Sequence, residues 1–279
     1  MAHKQICKPA GTGMHSRVSS YRSSANIVIQ RQQFAEGIPY LSCYIDDGLP
    51  KPLFLFCHGY TQNKESNMQL LYEMANEGFF VVAADQAGHG DNPAPADDRM
   101  YELLQTSTRN IDCLLQHISA IPQADTQHFF LSGASFGGMV TYQYLVQGKQ
   151  HPTAAAVISS TPDVLAMLER PLGFLSGSMA AGITPIVPPS EQQRAATFAQ
   201  AEQTTPLNNW QRMQGIPLFI IHGLADPVVP PAGDDKLFAL LAPTASDDEL
   251  QLYQYEGVGH HSTNEMRYKV IDWFVEKRG

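Results

Sequence analysis

The sequence predicts an α/β fold built on a mostly parallel sheet with helices on both faces. Two observations point to it. Short continuous apolar runs alternate along the chain with stretches that carry apolar residues at helical spacing, the pattern of strands buried on both faces and joined by helices. In the middle of the chain the run His128-Phe129-Phe130-Leu131 leads into Gly133-Ala134-Ser135-Phe136-Gly137, a Gly-x-Ser-x-Gly pentad. Met139, Val140, Tyr142, Tyr144, Leu145 and Val146 follow at helical spacing until Gly148. Strand, glycine turn, serine and helix is the order that this pentad requires.

The elements follow in order. Residues 1–24 are polar and serine-rich and read as a loose arm; residues 25–279 form a single domain. Asn26 to Phe34 and Ile38 to Ile45, parted by Glu36-Gly37, alternate partially and read as two antiparallel edge strands. After the turn signal Asp46-Asp47-Gly48, Pro52 to Cys57 is a buried parallel strand that ends at His58-Gly59-Tyr60. A helix over about Ser66 to Glu77 is closed by Gly78, and Phe79 to Ala84 is the next strand, ending at Asp85. A long helix is predicted from about Asp98 to Ser119, then the central strand and its helix, then a strand from Ala154 to Ile158. Residues 161–214 break the rhythm with prolines, glycines and a polar helical piece around Glu191 to Gln203, and read as an insertion. The alternation resumes with a strand at Ile216 to Ile221, a helix at Asp234 to Leu241, a strand at Leu250 to Tyr255 and a helix at Thr263 to Glu276.

With 279 residues the chain is long enough for one large domain, and its formal net charge of −9 disfavours nucleic acid and anionic membranes as partners. No apolar run approaches the roughly 18 to 20 residues that span a bilayer, and no signal-peptide core precedes the domain, so a cytoplasmic location is expected. Cys7, Cys43, Cys57 and Cys113 show no metal or redox spacing. No metal or organic cofactor is implied; the expected partner is a small-molecule ester, and the expected state a monomer or small homo-oligomer.

Ser135 reads as a nucleophile. Side chains at Gly133 or Gly137 would collide with neighbouring backbone, and the tight turn lifts the hydroxyl into the open. A serine hydroxyl is a weak nucleophile unless an imidazole takes its proton and a carboxylate holds that imidazole. Asp226 follows the strand that ends at Ile221, and His260 follows the strand that ends near Tyr255, in the chain order acid then histidine. His261 is an alternative base beside His260, and Asp85 an alternative acid that reads more simply as a loop anchor. As an Asp-Pro residue, Asp226 also suits a turn. The backbone N–H groups of Phe136 and Tyr60 are the candidate oxyanion donors, which leaves His58 a structural role.

At this point the chain resembles the α/β-hydrolases. The matching residues are His58-Gly59-Tyr60, Asp85-Gln86-Ala87-Gly88-His89-Gly90, Gly133-Ala134-Ser135-Phe136-Gly137-Gly138, His222-Gly223-Leu224-Ala225-Asp226 with Val228-Val229-Pro230, and Gly257-Val258-Gly259-His260. Together they are most similar to small bacterial serine carboxylesterases related to dienelactone hydrolases and to the catalytic domain of prolyl oligopeptidases. The nucleophile here is serine where dienelactone hydrolases have cysteine, and there is no β-propeller to restrict access to peptides. The resemblance implies the α/β-hydrolase fold, a mostly parallel eight-stranded sheet flanked by helices, with 161–214 in the place of a cap. It carries over Ser135, Asp226 and His260 as a triad. Met167, Leu168, Leu172, Phe174, Leu175, Met179, Ile183, Ile186 and Val187 of the cap would either line an acyl pocket or pack the cap itself. The expected activity is that of a serine carboxylesterase acting on short-chain esters. Amide, thioester or acyl-peptide hydrolysis would use the same triad, and a non-catalytic binding protein on this scaffold is the remaining alternative.

Overall fold

The computed structural model describes residues 2–8, 26–92, 100–170 and 190–279. Its elements in chain order are β1 (His3–Cys7), β2 (Ile27–Phe34), β3 (Ile38–Ile45), β4 (Lys51–Cys57), α1 (Met68–Asn76), β5 (Phe80–Ala84), α2 (Met100–Ile118), β6 (Ala124–Ala134), α3 (Phe136–Gln147), β7 (Ala154–Ile158), α4 (Val164–Glu169), α5 (Glu191–Thr204), β8 (Leu218–Gly223), α6 (Ala232–Leu241), β9 (Leu250–Tyr255) and α7 (Asn264–Arg278). The strands form one sheet in the order β1-β9-β8-β7-β6-β4-β5-β3-β2. β2 and β3 run antiparallel to their neighbours, and every other pairing is parallel.

The continuous apolar runs are explained by burial on both faces. Along β4, Leu53, Leu55 and Cys57 face the side covered by α2 and α3, while Phe54 and Phe56 face the side covered by α1 and α7. α3 is buried from Phe136 to Val146, so it is apolar nearly all round rather than striped. Side chains set where three helices begin: the Asp163 carboxylate accepts from the Ala166 N–H at α4, Ser190 and Gln193 form a capping box at α5, and the Thr263 hydroxyl accepts from the Met266 N–H at α7.

The sheet departs from the sequence reading at one edge. It has nine strands among the described residues, not eight, because His3–Cys7 is a strand paired with Gln251–Tyr255 and not part of a loose arm. Only Cys7 of the five is buried. β1 is held by main-chain hydrogen bonds along the open edge of β9, which any side-chain pattern can make, so apolar periodicity gave no signal of it. The rest of the predicted arm, residues 9–24, lies outside the described residues, as do Asp98 at the predicted start of α2 and Leu172, Phe174, Leu175, Met179, Ile183, Ile186 and Val187 of the inserted stretch. Of the remaining cap residues, both on α4, Met167 is buried in the same core cluster as residues of α2 and α3, and Leu168 packs against that cluster partly buried. None of the described helices is long and apolar enough to cross a membrane.

Candidate active site

The parallel strands deliver the site residues at their carboxyl ends. β6 runs through Gly133 and Ala134 into Ser135, whose backbone adopts φ 54° and ψ −118°, a conformation that side-chain-bearing residues rarely hold. The turn is possible because both flanking glycines lack a side chain. A Cβ on Gly133 would strike the Gly137 carbonyl and the Thr141 hydroxyl, and one on Gly137 would strike the carbonyls of Cys57 and His58. Four further bonds lock it: Ser135 N–H donates to Ile158 O at 2.9 Å, the Ser160 hydroxyl donates to Ser135 O at 2.6 Å, and Gly138 and Met139 N–H reach the same carbonyl at 3.0 and 3.1 Å.

His260 arrives on the turn after β9, where Gly257 holds φ +70°. Its Nε2 lies 2.9 Å from Ser135 Oγ, and its Nδ1 lies 2.7 Å from Asp226 Oδ2. A carboxylate can only accept, so Nδ1 carries the proton and Nε2 is free to receive the serine's. Asp226, on the loop after β8, is 6 % exposed. Its Oδ1 accepts from the N–H groups of Val228 and Val229 at 2.8 and 2.9 Å, so the turn role and the contact with His260 belong to one carboxylate. Burial works against its charge, yet hydrogen bonds from His222, His260 and Val229 hold it well below the usual carboxylate range. His261 is exposed and takes no part in this line of bonds.

The loop after β4 packs directly against the start of α3. Phe136 opens that helix, where the first N–H groups have no acceptor within the helix. The rings of Tyr60 and Phe136 meet edge to face at 5.8 Å, and His89 packs on both. His58 is buried, donates from Nδ1 to Gly59 O at 2.9 Å and accepts the Gln86 N–H at Nε2 at 2.9 Å. Burial pushes its pKa down to about 4, so it is a neutral brace between two loops. Asp85 anchors the same loops: it accepts Lys64 N–H at 2.7 Å, Lys64 Nζ at 2.8 Å and Asp91 N–H at 2.9 Å. None of its bonds reaches the histidine at the nucleophile. Arg170, at the end of α4, donates to Val228 O at 2.6 Å and so ties the inserted stretch to the loop of Asp226.

A family model described as Serine aminopeptidase, S33 matches residues 48–203, more than half the chain and inclusive of the serine turn. The chain belongs to this family. This α/β-hydrolase is 24% identical to YitV of Bacillus subtilis strain 168, over 87% of its own length and 96% of that protein. It is also 24% identical to the esterase YjfP of Escherichia coli K12, over 89% of its length and 98% of that protein. Among solved structures it superposes on TT1662 from Thermus thermophilus with a TM-score of 0.69 at 21% identity, covering 90% of this chain and 98% of that one.

Some polar residues of this hydrolase's site have no signature in the sequence. Ser160, Lys64, Asp234 and Tyr142 sit in unremarkable contexts. His222 is different, because it ends the apolar run Leu218–Ile221, where a polar residue must find a buried partner.

Proposed function

We propose that this protein is a serine hydrolase that cleaves carboxylic esters of short acyl chain through an acyl-enzyme. The observation that supports it is the unbroken line of hydrogen bonds from Ser135 Oγ to His260 to Asp226. In this mechanism Ser135 Oγ attacks the ester carbonyl while His260 Nε2 takes its proton. Asp226 keeps the imidazole in the required tautomer and stabilises its positive charge. The N–H groups of Phe136 and Tyr60 receive the negative oxygen of the tetrahedral intermediate. His260 then protonates the departing alcohol, and water repeats the cycle on the acyl-enzyme.

A comparison favours esters over amides. The full-length relative YjfP carries the name esterase.

The test is hydrolysis of p-nitrophenyl esters from acetate to decanoate by wild type and Ser135→Ala, beside labelling by a fluorophosphonate. Turnover confined to the shorter chains is expected, with labelling abolished and kcat lowered by at least about 10³- to 10⁴-fold in the variant. Labelling without ester turnover would move the substrate to amides or thioesters. A wild type that takes no label would overturn the serine-hydrolase reading.

A further inference from the structure

Behind Asp226 lies a second, fully buried pair. His222, at the end of β8, and Asp234, in the first turn of α6, are both 0 % exposed. His222 Nδ1 is 2.6 Å from Asp234 Oδ2. His222 Nε2 faces two acceptors, Asp226 Oδ2 at 3.1 Å and the Val229 carbonyl at 2.9 Å. Since a carbonyl only accepts, Nε2 carries a proton. On the far side, the buried Tyr142 hydroxyl of α3 donates to Asp234 Oδ1 at 2.8 Å. The line therefore runs Tyr142, Asp234, His222, Asp226, His260, Ser135. Asp226 Oδ2 is the shared point: it accepts from both histidines.

Resting on the hydrolase reading above, we propose that His222, held by Asp234, is a positioning residue for the triad, anchoring and partly neutralising the Asp226 oxygen that orients His260. Without His222 the one donor on Oδ2 would be His260, the ring that Asp226 has to orient, whereas a donor from a buried ring fixes Oδ2 independently of that histidine. The charge balance supports the same role. The groups facing His222 are Asp226 from its own loop, Asp234 from α6, the neutral hydroxyl of Tyr142 from α3 and, beyond Asp226, His260 from the loop after β9. Asp235 lies next to Asp234 but turns to Lys4 and Gln254. Burial opposes charge on His222, but its hydrogen bonds to Asp226 and Asp234 outweigh this and raise it to about 9. Complete burial also raises Asp234. The pair thus keeps its shared proton through neutral pH, and the Nε2–H edge of the His222 ring faces Asp226.

The test combines kinetics with histidine ¹⁵N NMR on the full chain. With His222→Gln or Asp234→Asn, Asp226 loses a cationic neighbour on Oδ2 and its negative charge falls more fully on the His260 ring. The acid limb of kcat/KM is then expected to move up by about one pH unit, with kcat about ten- to 10²-fold lower and KM little changed. In the wild-type spectrum His222 is expected to show both ring nitrogens protonated at pH 7, a readout that needs neither activity nor a folded variant. An unprotonated His222 nitrogen at pH 7 would overturn the proposal. So would folded variants with the wild-type kcat and acid limb, or losses that follow only the folded fraction. If the wild type turns over esters and the variants match it, the positioning role alone fails; if the wild type neither turns over nor labels, the hydrolase reading fails with it.

Discussion

At the residue scale the site depends on what each carboxylate oxygen and each ring nitrogen is bonded to. Asp226 uses Oδ1 for two backbone N–H groups and Oδ2 for two imidazoles, which accounts for its depressed pKa. Asp226→Asn should keep this turn but place an amide against His260 Nδ1, which favours the tautomer that cannot accept the serine proton. We expect kcat to fall by about 10⁴-fold, measured on the best p-nitrophenyl ester; a loss under about tenfold would rule out the orienting role. Ser135, Asp226 and His260 were legible because glycines and strand ends flank them, and their order along the chain matches the order in which a parallel sheet presents its loops. His222 stood in a matching segment at the end of an apolar run, which calls for a buried partner without saying which. Its bonds go to Asp234 and Asp226, at positions 12 and 4 residues away, and no local pattern records them.

At the element scale, the proposed oxyanion donors of Tyr60 and Phe136 depend on the loop after β4 being held against the start of α3. Lys64 does much of this. Its ammonium, 4 % exposed, bridges Asp85 at 2.8 Å and Asp91 at 3.0 Å and so joins the loop after β4 to the loop after β5. Lys64→Met would leave Asp85 buried without its cation, although its two backbone donors remain. Removing one partner of a buried pair costs about 3 to 5 kcal/mol, and the retained N–H bonds place the expected loss near the lower figure. Urea unfolding measures it, and an unchanged midpoint would show that the ion pair does not hold the loops. The strand and helix assignments agreed well with the sequence where both faces of a strand are buried, because burial forces an apolar run. They failed at β1, where edge pairing leaves most side chains in solvent and imposes no composition. Deleting residues 1–8 should therefore lower stability by only about 2 kcal/mol, through lost ladder bonds and the uncovered Cys7 site, and leave kcat unchanged.

At the scale of the whole molecule, two buried histidines with opposite shifts shape stability against pH. His58 titrates near 6.5 when unfolded and about 4 when folded, so the folded chain binds fewer protons between these values and loses stability as pH falls through them. His222 moves from 6.5 to about 9, so the folded chain binds more protons there; its contribution is complete below 6.5 and disappears as pH rises through 9. Thermal melting across pH 4 to 10 should show maximal stability near pH 6.5, with the alkaline decline flattened in His222→Gln. An alkaline limb of equal slope in the variant would count against a charged His222.

By itself, the sequence determined the layered architecture and the chemistry on offer. Apolar runs and helical spacing set which segments are buried, and the glycines around Ser135 permit one sharp turn there and little else. The tertiary structure decided which groups meet. It bound Asp226 to His260 and also to His222, set Asp85 to holding loops, and added a strand at the open edge of β9. The physical reason is range: periodicity and turn chemistry act over a few residues, whereas hydrogen bonds between buried polar groups depend on distances of a few ångströms between residues as far apart as Ser135 and His260.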